Sequence, residues 1–179
     1  MGSIIKVNEY KDFGNNAIMT SDGAGVVTPN ATGIKNTPAF HAYLSSSQTV
    51  TDNTATKAQI DTEILDTDNC YDNSTNYRFT PTTAGKYFVY FAIACEADAN
   101  VINDVSAYLY KNGVEYLEVR DNPVSSERAM DVGGSNIVDF NGTTDYVEVF
   151  GRINVDSDTP SFTSATKSTY FGGYKLIGV

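Results

Sequence analysis

The sequence contains no tryptophan, a single histidine and only two cysteines. His41 is therefore the one residue that a Ser-His-Asp or Cys-His catalytic arrangement could use. It alternates with Phe40 and Ala42 in a strand-like run, so we interpret it as a structural or exposed side chain. Cys70 and Cys95 lie in different predicted elements and form no CxxC pair. We expect them to be free thiols, because a zinc site needs more ligands than they supply.

Basic residues are also scarce. Lysine and arginine number 12 against 22 aspartate and glutamate residues, which gives a formal charge of -10. Binding to phosphates requires a basic face, and these few cations are scattered along the chain. The composition therefore excludes a nucleic-acid partner, and we interpret the acidity as favouring solubility.

Long apolar segments are missing as well. The amino terminus has no apolar core of the kind that marks a secretory signal, and no run approaches the length of a membrane span. We therefore expect no signal peptide, no membrane insertion and synthesis in a cytoplasm. No stretch carries the helical period over enough residues to predict a helix.

Aromatic residues, by contrast, are abundant: the chain has 12 tyrosines and 9 phenylalanines. Between them lie turns rich in Asn, Asp, Thr and Ser, and this mixture is typical of strands joined by turns. Regularly spaced strands from residue 37 to 179 predict one all-β domain, an antiparallel two-sheet jelly-roll sandwich. No cofactor is predicted.

Residues 1–36 form an amino-terminal arm with too little apolar content to fold alone. We expect it to be ordered by packing on a partner or on copies of itself. The residues predicted to anchor the arm are Ile4, Ile5, Val7, Ile18 and Met19.

Within the jelly roll, several local patterns predict individual elements. Residues 56–65 alternate and predict one strand, with Ala58, Ile60 and Ile64 on the same face. Asn112-Gly113 between two strand-like runs predicts a hairpin. Residues 121–134 are polar, and we interpret them as an exposed loop.

The segment from Phe79 to Phe91 predicts a short strand, a corner at Pro81 and Gly85, and a long second strand. That second strand is apolar at both odd and even positions, so both of its faces should be covered. Only one face of a sandwich strand meets the core, and the outward aromatic residues therefore indicate a subunit interface. The predicted interface residues are Phe88, Tyr90, Tyr108, Tyr110, Tyr146, Phe150, Tyr170 and Tyr174.

Two sets of acidic residues allow a catalytic or a calcium-binding interpretation. Three carboxylates on predicted strands, Glu63, Glu96 and Glu148, leave open a hydrolase pair. Carboxylates spaced two apart resemble calcium loops at Asp66 with Asp68 and at Asp156 with Asp158. Neither pair has the glycine and distal glutamate of an EF-hand, so we favour solvated loop acids and predict no metal.

An ordered set of short motifs gives the chain a family resemblance. Pro38-Ala39-Phe40, Gly85-Lys86-Tyr87-Phe88-Val89-Tyr90, Tyr110-Lys111-Asn112-Gly113 and Phe171-Gly172-Gly173-Tyr174 occur in this order. Together they resemble the complement-q/tumour-necrosis-factor class of trimeric jelly rolls over residues 37–179. Within that class, residues 71–81 and 84–90 are similar to virion proteins of tailed bacteriophages.

The resemblance implies a homotrimer held by aromatic-rich inner strands, although a collagen-like stalk is missing here. It also implies a non-enzymatic structural protein at the virion surface, a capsid or tail fibre head or a decoration protein. The arm would attach it to capsid or tail proteins, and its loops would face a host-surface glycan or protein. The alternatives are a soluble carbohydrate- or protein-binding module of a cellular organism and a fibre-borne polysaccharide hydrolase.

Overall fold

A computed structural model of the chain describes residues 7–99, 101–125 and 127–178, leaving aside the side chain of Thr32. Short 3-10 turns cover Thr32–Ile34 and Ala165–Lys167, and none of the described helices is long and apolar enough to cross a membrane. The strands are β1 (Glu9–Lys11), β2 (Ala17–Ser21), β3 (Val27–Pro29), β4 (Ala39–Tyr43), β5 (Gln48–Thr49), β6 (Thr56–Lys57), β7 (Thr62–Asp66), β8 (Tyr71–Asp72), β9 (Arg78–Phe79), β10 (Gly85–Glu96), β11 (Ile102–Lys111), β12 (Val114–Asp121), β13 (Ala129–Phe140), β14 (Val147–Val155), β15 (Ser161–Phe162) and β16 (Tyr170–Lys175).

Two antiparallel sheets form the main body. The first, here called the front sheet, has the order β5-β15-β10-β16-β4-β7, and β13 also pairs with β10 along its whole length. The second, the back sheet, has the order β12-β11-β14-β9-β8, with β6 also on β14. The predicted all-β sandwich is therefore confirmed.

The core lies between the sheets and is rich in aromatic rings. The Phe40 ring stacks on Phe79 with centroids 4.2 Å apart, and the Phe171 ring meets Phe40 edge-on at 4.8 Å. From the back sheet, Leu109 and Val149 complete this core. Offset and edge-on ring pairs add to the free energy of apolar burial, so this cluster fixes how the sheets stack.

Alternation along β10 decides which side chains enter that core. Tyr87, Val89 and Phe91 are buried, whereas Phe88 and Tyr90 between them point out of the sandwich and are half-buried. This is the period of two that a pleated strand imposes. The outward rings of β10 are the starting point of the candidate site.

The Asn112-Gly113 hairpin between β11 and β12 is confirmed. Asn112 has φ of 53° and Gly113 has φ of 77°. Two successive residues with positive φ form the tight turn whose twist matches that of paired strands.

The predicted single strand over residues 56–65 is wrong. The chain pairs with the back sheet at β6, crosses the edge of the sandwich, and pairs with the front sheet at β7. Ala58 and Ile60 are buried at the crossing, but Ile64 is 56% exposed. Because the chain changes sheets between these residues, Ile64 does not share a face with Ala58 and Ile60 as it would in one continuous strand.

The predicted loop over residues 121–134 is also largely wrong. β13 begins at Ala129 and pairs with β10 without interruption from Gly85 to Glu96. Its first half looks polar because Asp131 and Gly133 lie on the outward face, while Val132 is buried. A strand with one solvated face carries polar residues at every second position.

The arm forms a small antiparallel sheet of order β1-β2-β3, and among the described residues these strands pair only with one another. Its middle strand, β2, contains two of the predicted anchor residues, Ile18 and Met19. Val7 precedes β1 and belongs to no strand, while Ile4 and Ile5 lie outside the described residues.

Candidate functional site

The predicted interface residues divide between the two outer faces of the sandwich. Alternation along a strand separates inward from outward side chains, but it does not say which sheet an outward residue belongs to. On the front sheet lie Phe88, Tyr90, Tyr170 and Tyr174, and on the back-sheet side lie Tyr108, Tyr110, Tyr146 and Phe150. Because the two sets lie on opposite sides of the sandwich, one continuous contact surface can include only one of them.

The front half forms a continuous aromatic surface, here called the front face. Phe88 lies directly across from Tyr174 on β16 and from Ile137 on β13. The Phe88 ring lies 5.7 Å from the Tyr174 ring and 6.1 Å from the Tyr90 ring. Tyr174 is 37% exposed and Ile137 50% exposed. This row of apolar side chains therefore faces water in the single chain.

His41 and Tyr90 lie at the centre of the front face. Tyr90 is opposite Gly172, which is in turn opposite His41. A Cβ atom on Gly172 would clash with the end of the Tyr90 ring, so glycine is what lets this ring lie across β16. Tyr90 Oη then reaches His41 Nδ1 at 3.2 Å, and the two rings stack with centroids 5.8 Å apart.

Beside these large rings the front face has a hollow of about 400 Å³. Its floor comes from small residues at neighbouring positions of β10 and β13, Ala92 opposite Gly133, while Tyr90 and Ser135 form part of its sides. A Cβ atom on Gly133 would meet the backbone of β10, so the floor stays flat. The front face thus presents a ridge of rings next to a groove.

Charged residues border the apolar area. Lys86 and Asp139 form an exposed ion pair of 2.7 Å at one end, and Asp131 lies at the other. An apolar centre with a charged rim is the usual composition of a protein–protein contact surface.

The two titratable side chains at the centre of the front face, His41 and Tyr90, have pKa shifts that favour their neutral forms. Burial, with a smaller contribution from the charge of Lys167, lowers the pKa of His41 below 6.5. Burial also raises the pKa of the Tyr90 hydroxyl, with Tyr170 and Tyr174 adding to the effect. Covering the centre of the front face therefore takes no charged group out of water.

The outer face of the back sheet differs because its rings are matched with cations. The Arg78 guanidinium lies 4.4 Å from the centre of the Tyr146 ring, and Lys57 Nζ lies 5.6 Å from that of Phe150. Arg152 Nε donates a hydrogen bond of 3.2 Å to Tyr108 Oη. Tyr108 is already only 7% exposed in the single chain. These rings have partners within their own chain.

Asp104 is the centre of a buried polar network on the same outer face. It accepts hydrogen bonds from Arg152 and from Asn154 Nδ2, the latter at 2.7 Å, and forms an ion pair of 3.1 Å with Arg120. Burial alone would raise the pKa of Asp104, but these hydrogen bonds and cations hold it below its usual value. The charged groups around Asp104 on the back face therefore have hydrogen-bond and ion-pair partners within their own chain.

The strand carboxylates considered for hydrolysis have separate surroundings. Glu148 on β14 is paired with Lys57, and Glu96 at the end of β10 is paired with Arg128 at 3.3 Å. Glu63 lines a polar cleft of about 480 Å³ near β8, and burial raises its pKa. Across the described part of the chain, no group of three or more metal-binding side chains converges on one point.

One acid of each loop pair accepts hydrogen bonds from backbone N–H groups. Asp66 accepts hydrogen bonds from the backbone N–H groups of Cys70 and Tyr71, at 3.0 and 2.9 Å. Asp158 accepts one of 2.6 Å from the N–H of Asp98.

Both cysteines are free, as predicted, and both are buried. Burial raises the pKa of the Cys70 thiol and raises that of Cys95 to about 12. Neither thiol is therefore activated near neutral pH.

The arm sheet has its own apolar side. Tyr10, Met19 and Pro29 are direct cross-strand neighbours and therefore share a face. Tyr10 is 57% exposed and Met19 is 37% exposed. The two predicted anchor residues of β2, Ile18 and Met19, are adjacent in a strand and point to opposite faces, so a single contact includes only one of them.

Comparison with solved structures finds TNF-like jelly rolls. The structure of Eiger TNF from S. frugiperda has a TM-score of 0.56 at 14% identity, covering 79% of this chain and 93% of that one. Murine APRIL at pH 8.5 has a TM-score of 0.54 at 10% identity, covering 77% and 98%. These likenesses show a TNF-like β-sandwich. No family model matches the sequence, and no curated protein matches it.

Proposed function

We propose that this chain is a structural virion protein of a tailed bacteriophage, a homotrimeric fibre head or decoration protein on the capsid or tail. Its activity is binding, and no catalytic step is assigned to it. The proposal of a virion location rests on the similarity of residues 71–81 and 84–90 to phage virion proteins. The proposal of self-association rests on the front face.

The observation that carries self-association is the ridge of rings around Phe88 and Tyr174. These side chains are apolar, lie on the neighbouring strands β10 and β16 and remain partly in water in the single chain. Burying apolar area yields roughly 25 cal/mol per Å², and packed ring pairs add to this. A second copy supplies the same chemistry, so chain-to-chain contact covers the face without unpaired charge.

The ridge and the adjacent groove also favour a ring of copies. A closed ring uses two different patches of each chain at every contact. The ridge at Tyr90 and the hollow beside Ser135 provide two such patches on one face. The back face, with its matched cations around Asp104, then remains outward and is available for contact with a host-surface glycan or protein.

The arm is the proposed attachment to the virion. Its apolar residues Tyr10 and Met19 remain exposed, so a capsid or tail protein that covers them gains buried area. This gives the two parts of the chain separate tasks, display by the sandwich and attachment by the arm.

The test of this function is antibody labelling of purified phage particles in the electron microscope. The proposal predicts label at fixed sites on the virion surface. Particles assembled with a chain lacking residues 1–30 should lose the label, and retained label would overturn the anchor. Label found only on soluble protein that binds host glycans would instead favour a carbohydrate-binding module.

A further inference from the structure

We propose that His41 is a pH-sensitive switch of self-association, with the neutral imidazole required for the front face to close. This inference rests on the proposed self-association and concerns its regulation. His41 is the only histidine of the chain. It lies within the apolar area that a second copy would cover.

The geometry gives this imidazole aromatic neighbours. The Tyr90 hydroxyl is hydrogen-bonded to Nδ1 of His41, and the Tyr90 ring stacks on the imidazole. The Tyr170 ring, on β16, lies 5.8 Å from the imidazole. Leu65 is its neighbour across β7. Each of these residues leaves the imidazole in apolar or uncharged surroundings at neutral pH.

The charged groups nearby do not favour an imidazolium. Lys167, in the 3-10 turn before β16, lies over the Tyr43 ring at 4.5 Å and disfavours a second cation here. The carboxylates of β7, Glu63 and Asp66, are paired across the strand with Ala42 and Phe40, whose side chains enter the core. Among the described residues, no carboxylate forms an ion pair with His41.

Closure of the front face removes more water from around His41. A charged group loses hydration on burial and here gains no counter-charge, so the associated state excludes the protonated form. The pH dependence of association therefore has one direction: association is complete above the imidazole pKa of the free chain and is lost as pH falls below it. In a trimer each copy takes up one proton on dissociation, so the trimer association constant falls by up to about a thousandfold per pH unit in that range.

The experiment measures the mass of the full chain in solution at about pH 8 and about pH 5, on either side of the histidine range. The unmodified chain should be a trimer at the higher pH and a single chain at the lower pH. Retained near-ultraviolet tyrosine circular dichroism at the lower pH shows that the sandwich itself stays folded.

Two variants separate the switch from general acid effects. His41→Gln keeps a neutral hydrogen-bonding group, so it should remain a trimer at both pH values. His41→Lys carries a permanent cation, so it should be a single chain at both. Dissociation of His41→Gln in parallel with the unmodified chain would overturn the switch, as would an unmodified trimer that persists in acid.

These outcomes leave the proposed function separately testable. A trimer that ignores pH overturns the switch and leaves self-association standing. A single chain at the higher pH for the unmodified protein overturns both.

Discussion

Two glycines on the central strands face aromatic rings in very different surroundings. A Cβ atom on Gly151 of β14 would lie 2.6 Å from Cζ of Phe162, a fully buried ring. On Gly172 the same atom would meet the outer end of the Tyr90 ring, which lies on the outer face and is only half-buried, so solvent leaves it room to shift. A core ring has no such room, so the same added methyl group has different consequences at the two positions.

We therefore predict that Gly151→Ala lowers the free energy of unfolding by about 1–3 kcal/mol, the usual range for overpacking a core. Gly172→Ala should leave stability nearly unchanged but displace Tyr90, break its contact with His41 and weaken self-association. Urea unfolding and a concentration series of solution mass measure the two effects. Equal loss of stability in both variants would contradict this difference.

Asp104 combines burial with charge. Replacing it with alanine leaves the guanidinium of Arg152 without its counter-charge, and breaking a buried pair in this way costs about 3–5 kcal/mol. Asp139→Ala is the control, because Asp139 is 71% exposed in its pair with Lys86 and should change stability by less than about 1 kcal/mol. Thermal unfolding of both variants at neutral pH tests the prediction, and similar midpoints would contradict it.

The lowered pKa of Asp104 also sets a pH dependence. The folded state favours the carboxylate, so its stabilisation is present above the unfolded pKa near 3.8 and is lost as pH falls through the lower folded value. The stability difference between the unmodified chain and Asp104→Asn should be constant from about pH 7 to about pH 5 and shrink below about pH 4. A difference that grows in acid would contradict the assignment.

At the scale of elements, sequence patterns predicted most strands and the hairpin at Asn112, because these follow from local turn chemistry and a period of two. The sheet change within residues 56–65 was not predictable, since the alternation that buries Ala58 and Ile60 looks the same before and after a crossing. For the same reason, the outward rings of β10 and β11 were identified as outward but not separated into front and back. Which faces oppose each other depends on long-range pairing.

The arm sheet and the sandwich share no strand pairing among the described residues. Removing residues 1–36 should therefore leave the thermal midpoint of the remaining chain within about 2 °C of the full-length value, no more than the shift that a 1 kcal/mol loss gives in a chain of this size. Differential scanning calorimetry of the two chains measures this. A drop of many degrees would mean that the arm contributes to the fold of residues 37–179.

At the scale of the whole molecule, the two outer faces of the sandwich have contrasting properties. The front face is neutral and apolar around Tyr174, while the back face has its rings matched with cations. Tyr174→Ser should therefore weaken each chain-to-chain contact at least tenfold, which corresponds to about 1.4 kcal/mol per contact. Tyr110→Ser is the matched control on the back face and should leave the solution mass unchanged. Sedimentation of both variants checks this, and the reverse result would move the interface to the back sheet.

Native mass spectrometry of the purified full chain near neutral pH tests whether chains associate through the front face. We expect a principal species with three times the mass of the 179-residue chain. A single-chain mass that persists as the protein concentration is raised would contradict association, because the partly exposed rings at Phe88 and Tyr174 would then have no partner copy.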